Sequence, residues 1–283
     1  MRLNYDQGGL TNLESSGSVS GSFEIIENTE FYDMDPFVLH VNSTRPGNTN
    51  DTQFKITTGG GNFNYQVTWE NLDDGSEGEI IDPLTGDHTL NFESPGMHKV
   101  EIRGLFPHHI NYDTTDAEKI ESLEAWGDVE WTSFLRSFQL ASNMEGNYDD
   151  RPDLSRVSNA ENTFRQAYSF DGKVSDWETS SFESTHGMFR RSNISGDFSE
   201  WDVSNVKNMD AMFHDADNFN NDISSWNTSN VNDMTWLFNG ASSFDQDISS
   251  WCVEKIDEKP WNFDRNTAFE GEDSKQPNWG ASC

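Results

Sequence analysis

The chain has 283 residues, and its 33% hydrophobic content rises only to about 40% when the 21 glycines are added, below the roughly 45–50% of ordinary globular domains, so one large spherical core is excluded. Fifty Asp and Glu against 18 Lys and Arg leave a net charge of −32; such a surface repels phosphate backbones and anionic bilayers, which argues against nucleic-acid binding and membrane attachment. Yet 20 Phe and 10 Trp separate the chain from a disordered acidic tail and predict a thin core of large rings, and no run approaches the roughly 18 apolar residues of a membrane span, so no membrane insertion is expected.

Residues 1–34 are polar and rich in Gly and Ser, with apolar islands at Leu3, Tyr5, Leu10, Leu13, Phe23, Ile25 and Ile26. Two readings are open: a flexible leader, or an arm that anchors the chain by ordering on a partner. The segment has one Arg and no apolar stretch of signal-peptide type, so no secretory signal is expected in it. Residues 35–128 read as β-structure. Phe37, Leu39 and Val41 alternate with Val38, His40 and Asn42, and Phe54 and Ile56 alternate after Pro46-Gly47. Phe63, Tyr65, Val67 and Trp69 give four period-2 positions, and His88, Leu90, Phe92, Val100 and Ile102 supply two further strands. Asp73-Asp74-Gly75, Asp82-Pro83 and Ser94-Pro95-Gly96 are turn signals between them. This spacing predicts a small antiparallel β-sandwich.

Residues 129–283 are an internal repeat. A phenylalanine recurs at Phe138, Phe164, Phe189, Phe213, Phe238 and Phe263, at intervals of 26, 25, 24, 25 and 25 residues. Around Phe213 stand Val203, Val206, Met209, Ala216, Phe219, Ile223 and Trp226; a shift of 25 gives Thr228, Val231, Met234, Ala241, Phe244, Ile248 and Trp251. A shift back of 49 gives Leu154, Val157, Ala160, Phe164, Ala167, Phe170, Val174 and Trp177 without a gap. A unit this short cannot bury its own face, so the copies must stack, each ring under its equivalent in the next coil. The segment Asn208 to Asp215 is predicted as one short helix or 3₁₀ turn per coil, and Ser204-Asn205 and Ser229-Asn230 as tight turns.

These residues resemble the BspA-like leucine-rich repeat family, whose phrase is close to F-x-x-D-I-S-S-W-D-V-S-N-V-x-x-M-x-x-M-F. Here it stands as Phe219 to Trp226, Trp201 to Val206 and Met209 to Phe213. The preceding module looks like a PKD-type (Ig-like) β-sandwich, with Trp69-Glu-Asn-Leu-Asp-Asp-Gly75 in place of the usual W-G-D-G turn. The resemblance implies a mainly β chain: arm, sandwich, then a short leucine-rich-repeat solenoid of coils of about 25 residues. It also implies surface-displayed, non-enzymatic binding and adhesion, in bacterial surface proteins or bacteriophage-encoded ones.

The two cysteines, Cys252 and Cys283, lie where the repeat is truncated, and members of the family end on a Trp-Cys and a final Cys. A disulfide there would close the open end of the solenoid and, in the loop-entropy picture, contribute roughly 3–4 kcal/mol; two free thiols in a reducing cytosol are the other reading. Asp197, Asp222 and Asp247 form a vertical ladder four residues before successive tryptophans, with Lys173 in the place one coil earlier. Each Asp either accepts a backbone N–H at its turn or shares a Ca²⁺ between coils; no EF-type loop supports the second, and no other cofactor or metal is expected. His108-His109 lacks a third ligand at metal spacing and reads as a loop. Nucleophile-elbow, zincin, Walker and dinucleotide motifs are missing, so no enzyme is expected. The candidate binding face is the exposed strand edge Ser158-Asn159, Glu183-Ser184, Lys207-Asn208, Asn232-Asp233 and Asp257-Glu258.

The expected function is therefore binding or display. In one setting the chain is a bacteriophage virion component, a capsid decoration protein or fibre. Its arm would be fixed to a virion structural protein, and its repeats would present to a host cell-surface protein or glycan. In the other it is the ectodomain of a secreted adhesin on a bacterial cell surface. A homo-oligomer fits either.

Overall fold

A computed structural model describes residues 31, 33–58, 61–109 and 115–282. The arm residues Leu3, Tyr5, Leu10, Leu13, Phe23, Ile25 and Ile26 lie outside the described residues. The fold is mainly β. Among the described residues there is no α-helix, only short 3₁₀ turns such as Thr115–Lys119 and Asp273–Lys275.

The strands are β1 (Phe37–Asn42), β2 (Gln53–Ile56), β3 (Asn64–Asn71), β4 (Glu77–Leu84), β5 (His88–Asn91), β6 (Met97–Leu105), β7 (Ile120–Ala125) and β8 (Glu145–Gly146). Six form one mixed sheet in the order β4-β3-β6-β1-β7-β8, and β2 pairs with β5 in a second, antiparallel sheet. The alternation read from the sequence decides the facing: Phe37, Leu39, Val41, Tyr65, Val67, Val100 and Ile102 from the large sheet are buried in one core with Phe54, Ile56 and Leu90 from the small one. β4 carries Glu77, Glu79 and Asp82 and contains Pro83, and it sits at the sheet's edge, the position that tolerates both. Lys119 is buried, and its ammonium donates to the carbonyls of Thr49, Asn50 and Gln53 at 3.3, 2.8 and 3.0 Å. Asp116 accepts the N–H groups of Thr49 and Lys55 at 3.1 and 2.9 Å, so this pair ties the loop before β2 to the 3₁₀ turn.

β7 joins the two halves. It pairs antiparallel with β1 and parallel with β8, which lies within the first repeat. Around it the rings of both halves meet: Phe37 lies 5.4 Å from Trp131 and 6.3 Å from Trp126 between ring centres, and Phe106 lies 6.4 Å from Trp131. The core is continuous from Phe37 to Phe269.

Beyond β8, successive segments of about 25 residues lie one on another. Isolated parallel bridges join Asn159 to Ser184, Ser184 to Asn208 and Asn208 to Asp233. Phe138, Phe164, Phe189, Phe213 and Phe238 stack at 5.5, 5.6, 6.0 and 5.9 Å with ring planes within 11°. The ladder ends on Phe263, which meets Phe238 edge-on at 5.4 Å. A second ladder runs Trp177, Trp201, Trp226 and Trp251 at 6.1, 6.5 and 6.0 Å. The indole N–H groups of Trp201, Trp226 and Trp251 donate to the carbonyls of Val174, Phe198 and Ile223 at 2.8, 3.1 and 2.9 Å, which satisfies a polar group that burial would otherwise penalise.

The predicted helix or 3₁₀ turn at Asn208–Asp215 is replaced by a chain of tight turns. The N–H groups of Met209, Ala211, Phe213 and Asp215 donate to Asp233, Thr235, Leu237 and Asn239 of the next segment at 2.8–3.0 Å. Those of Met212, His214 and Ala216 turn back to Met209, Ala211 and Phe213 at 3.1–3.2 Å. With every second donor taken by a neighbour, no i→i−4 ladder can run. The geometry requires a left-handed residue twice per segment. These pairs are Arg136 and Leu140, Asn162 and Gln166, Gly187 and Arg191, Ala211 and Asp215, Trp236 and Gly240, and Asn262 and Asn266.

Left-handed φ costs an L-residue roughly 1–2 kcal/mol, against the roughly 0.5–1 kcal/mol entropy cost of Gly. Ala211→Gly (φ 54°) should therefore stabilise the protein by up to about 1 kcal/mol in urea unfolding. Gly187→Ala should destabilise it by at least that, because its Cβ would meet Asn162 Oδ1 at 2.7 Å. Destabilisation by Ala211→Gly, or an unchanged stability in Gly187→Ala, would sink this account of the turns. A pH effect follows from His109, buried between Phe106 and Phe138 at 6.3 and 6.1 Å. Burial pushes its pKa down to about 4. Above the ordinary value of about 6.5 both states are neutral; between 6.5 and 4 the unfolded chain takes a proton that the folded chain refuses. This contribution is full above pH 6.5 and lost as pH falls toward 4, on the order of 3 kcal/mol. Chemical denaturation from pH 7 to 4 should show that slope, and His109→Leu should remove it.

Candidate functional site

The predicted strand-edge face exists as two parallel columns. The outer column, Ser158, Glu183, Lys207 and Asn232, is exposed, and its backbone N–H groups run Glu183 to Ser158, Lys207 to Glu183 and Asn232 to Lys207 at 2.8–2.9 Å. The inner column, Asn159, Ser184, Asn208 and Asp233, is half-buried and its side chains serve the fold. Asn159, Asn208 and Asp233 accept the N–H groups of Glu161, Asp210 and Thr235 at 2.9, 2.8 and 2.9 Å, and Ser184 donates to Glu161 at 2.8 Å. Lys207 is paired with Glu183 at 2.7 Å. Asp257 and Glu258 are exposed. The outer column thus faces solvent, with Lys207 and Glu183 engaged with each other.

The Asp ladder is built from turns. Asp197, Asp222 and Asp247 accept the N–H groups of Ser199, Ser224 and Ser249 at 2.8, 3.0 and 3.0 Å. Hydrogen bonds from these serines hold all three carboxyls below the usual carboxylate range. Lys173, in the corresponding place, pairs with Asp149. Among the described residues no group of three or more His, Cys, Asp or Glu is arranged to hold a metal ion. His108 packs edge-on against Phe63 at 5.0 Å, beside the buried His109. Cys252 is disulfide-bonded; the sequence holds one other cysteine, Cys283, whose position lies outside the described residues.

A second surface was not singled out from the sequence. The carbonyls of Arg165, Arg190, His214, Asn239 and Arg265 accept N–H groups from Leu140, Gln166, Arg191, Asp215 and Gly240 at 2.8–2.9 Å, so these five residues form one column on the turn side. Several bases of the repeats sit against an acid of a neighbouring segment, among them Lys173 with Asp149, Arg156 with Glu130, Lys207 with Glu183, Arg191 with Asp215 and Lys275 with Asp245. Arg165 over Arg190 places base against base. Neither forms an ion pair among the described residues, and the Nε of each is buried without a hydrogen-bond partner there. Burial, then Arg165 and Arg191, lower the Arg190 pKa, against the opposing pull of Asp215 and Asp210.

Beside Arg190 lies a cleft of about 260 Å³, lined by His186, Asp210, Ala211, His214 and Trp236. His186 Nδ1 is 3.0 Å from Asp210 Oδ2. His214 is buried, which lowers its pKa, and its Nδ1 lies 2.9 Å from the carbonyl of Asn239. Trp236 stands edge-on to His214 at 5.2 Å and to Trp261 at 4.7 Å; Trp261 is 68% exposed. The arrangement offers a cationic fork, a flat ring wall, and a mixed donor and acceptor pair. A column reading at the 25-residue shift would have found the Arg-Arg-His run.

Asp210, with Glu161 adding to it, raises the His186 pKa above its ordinary value of about 6.5 against the opposing effect of burial. The pair's stabilisation is then full below about pH 6.5 and lost as pH rises through the raised value. NMR titration of His186 should give a midpoint above 6.5 that falls in Asp210→Asn. An unchanged midpoint would break the assignment, since Glu161, Arg190 and His214 are the other charged or titratable neighbours in play.

Two stretches, residues 132–194 and 177–279, match the family model described as Mycoplasma protein of unknown function, DUF285. Together they span 148 of the 283 residues, 132 to 279, and the chain belongs to that family. No curated protein and no solved structure matches it.

Proposed function

We propose that the chain is a non-enzymatic display and binding protein whose residues 129–283 form a short leucine-rich-repeat solenoid, preceded by a PKD-like sandwich. The observation that carries this reading is the repeated hydrogen-bond register, in which segments of about 25 residues stack along one axis and present fixed columns of side chains outward. A stack of this kind has a large outer surface for its mass, which suits recognition by contact. The membership of the repeat half in the DUF285 family is consistent with a surface protein of BspA-like type. The disulfide at Cys252 fits life in an oxidising medium.

Within that function, the setting we favour is a bacteriophage virion component, a capsid decoration protein or fibre. The apolar islands Leu3, Tyr5, Leu10, Leu13, Phe23, Ile25 and Ile26, set in a Gly- and Ser-rich segment, suit an arm that docks on a virion structural protein. The repeats would then face the medium and touch a host cell-surface protein or glycan. A secreted adhesin ectodomain is the competing setting. Immunogold electron microscopy of the producing culture, with antibody to residues 129–283, separates them. Gold on phage particles is expected; gold on cell envelopes with bare particles would replace the virion reading with the adhesin.

A further inference from the structure

We propose that the cleft between Arg190 and Trp236 binds an acidic saccharide unit, with the sugar's carboxylate or sulfate on the guanidinium of Arg190 and its ring face against the Trp236 indole. This deepens the binding reading above and rests on it for the existence of a ligand, but it is independent of whether a particle or a cell displays the chain.

Three observations converge on the cleft. The first is charge. In a chain with 50 acids and 18 bases, Arg165 and Arg190 are stacked on adjacent segments with no carboxylate paired to either among the described residues. Segments joined by such ladders lie about 4.8 Å apart, so the two cations repel each other. Asp215 and Asp210 act on Arg190 from a distance without forming an ion pair with it, and burial and the other arginines outweigh them. A guanidinium presents a planar fork that matches a carboxylate or sulfate in two parallel hydrogen bonds, and an anion placed there offsets the repulsion.

The second is shape. Trp236 occupies a left-handed position (φ 58°), where the equivalent residues are Arg136, Asn162, Gly187, Ala211 and Asn262. The turn run fixes the backbone there, and of the six equivalent residues only Trp236 carries a large ring. Here it sets an indole on the cleft wall, and that indole meets Trp261 at 4.7 Å. The equivalent Ala211, a small residue, lines the same cleft. The third is polarity. His186 and Asp210 line the same cleft as a donor and acceptor pair 3.0 Å apart, the chemistry that reads vicinal hydroxyls.

A volume of about 260 Å³ is below the roughly 300–1,000 Å³ of a drug-sized pocket and suits one substituted ring, not an extended segment. A polyphosphate chain is disfavoured by the net charge of −32 beyond the cleft, which a single anionic group, screened over about 8 Å at physiological salt, largely escapes.

The test is isothermal titration calorimetry of the full chain with four probes: a hexuronate oligosaccharide, a sulfated hexose oligosaccharide, a neutral hexose oligosaccharide and inorganic sulfate. At least one acidic oligosaccharide should bind, at least tenfold more tightly than the neutral one and than sulfate. Arg190→Gln should lower that affinity at least tenfold and Arg190→Lys less. Trp236→Asn, which the left-handed backbone accepts, should lower it comparably with the melting temperature unchanged. Lys207→Gln, on the strand-edge column, should leave it unaltered. Equal binding of the neutral sugar, equal binding of inorganic sulfate, loss on Lys207→Gln instead, or no binding of any probe would each overturn the proposal. Particle labelling is read in a separate assay, so a chain displayed on particles that ignores all four probes would sink this site and leave the display reading intact.

Discussion

The backbone hydrogen bonds that alternate between local turns and the neighbouring segment are the constraint on which the repeat half depends. From Met209 to Asp215 every second N–H is committed outward to a carbonyl 24 residues ahead. This sets the segment length, because a residue gained or lost inside the run would swap the outward and inward sets. It demands a left-handed residue at two places per turn run. It also aligns the rings, since Phe213 can stack parallel on Phe189 and Phe238 only if both neighbours keep the same phase. The aromatic ladders supply the buried area, and the backbone register supplies the order. That division explains how a chain with 33% hydrophobic residues holds a continuous core.

The N-terminal half solves the problem at the open end. A stack of identical segments leaves its first ring face bare, and here that face is covered by Phe37 and Phe106 from the sheet. β7 does the geometric part, being the penultimate strand of the sheet and the ledge on which the first segment pairs. A buried, neutral His109 lies in the same seam. The two halves are thus coupled through one strand and one aromatic cluster.

β1, β3 and β6 were legible in the sequence because Phe37, Leu39 and Val41, then Tyr65 and Val67, then Val100 and Ile102 recur at every second position on a buried face. β4 was not, because an edge strand with Glu77, Glu79 and Pro83 shows no apolar period. The 25-residue spacing was legible from the phenylalanines alone. The helix expected at Asn208–Asp215 failed for a physical reason: local apolar spacing cannot reveal that alternate donors are claimed by another segment. Of the surfaces, the strand-edge positions stand in rows, but the side chains of Asn159, Asn208 and Asp233 hold their own turns, which spacing alone does not reveal. The Arg165, Arg190 and His214 column went unread because attention to ring positions hides the polar columns between them.

The sharing of β7 between sheet and stack gives the molecule a fixed beginning and an adjustable length. A segment inserted between the one carrying Phe213 and the one carrying Phe238 would meet the same bonds above and below as its neighbours already do. The seam at β7 and the disulfide-bearing end at Cys252 would both be untouched. Reach is therefore a quantity that gene duplication can tune in steps of one segment, about 4.8 Å each. Arg165, Arg190 and His214 would keep their distance from the sheet, while Trp236, Asn239, Arg265 and the far end moved outward.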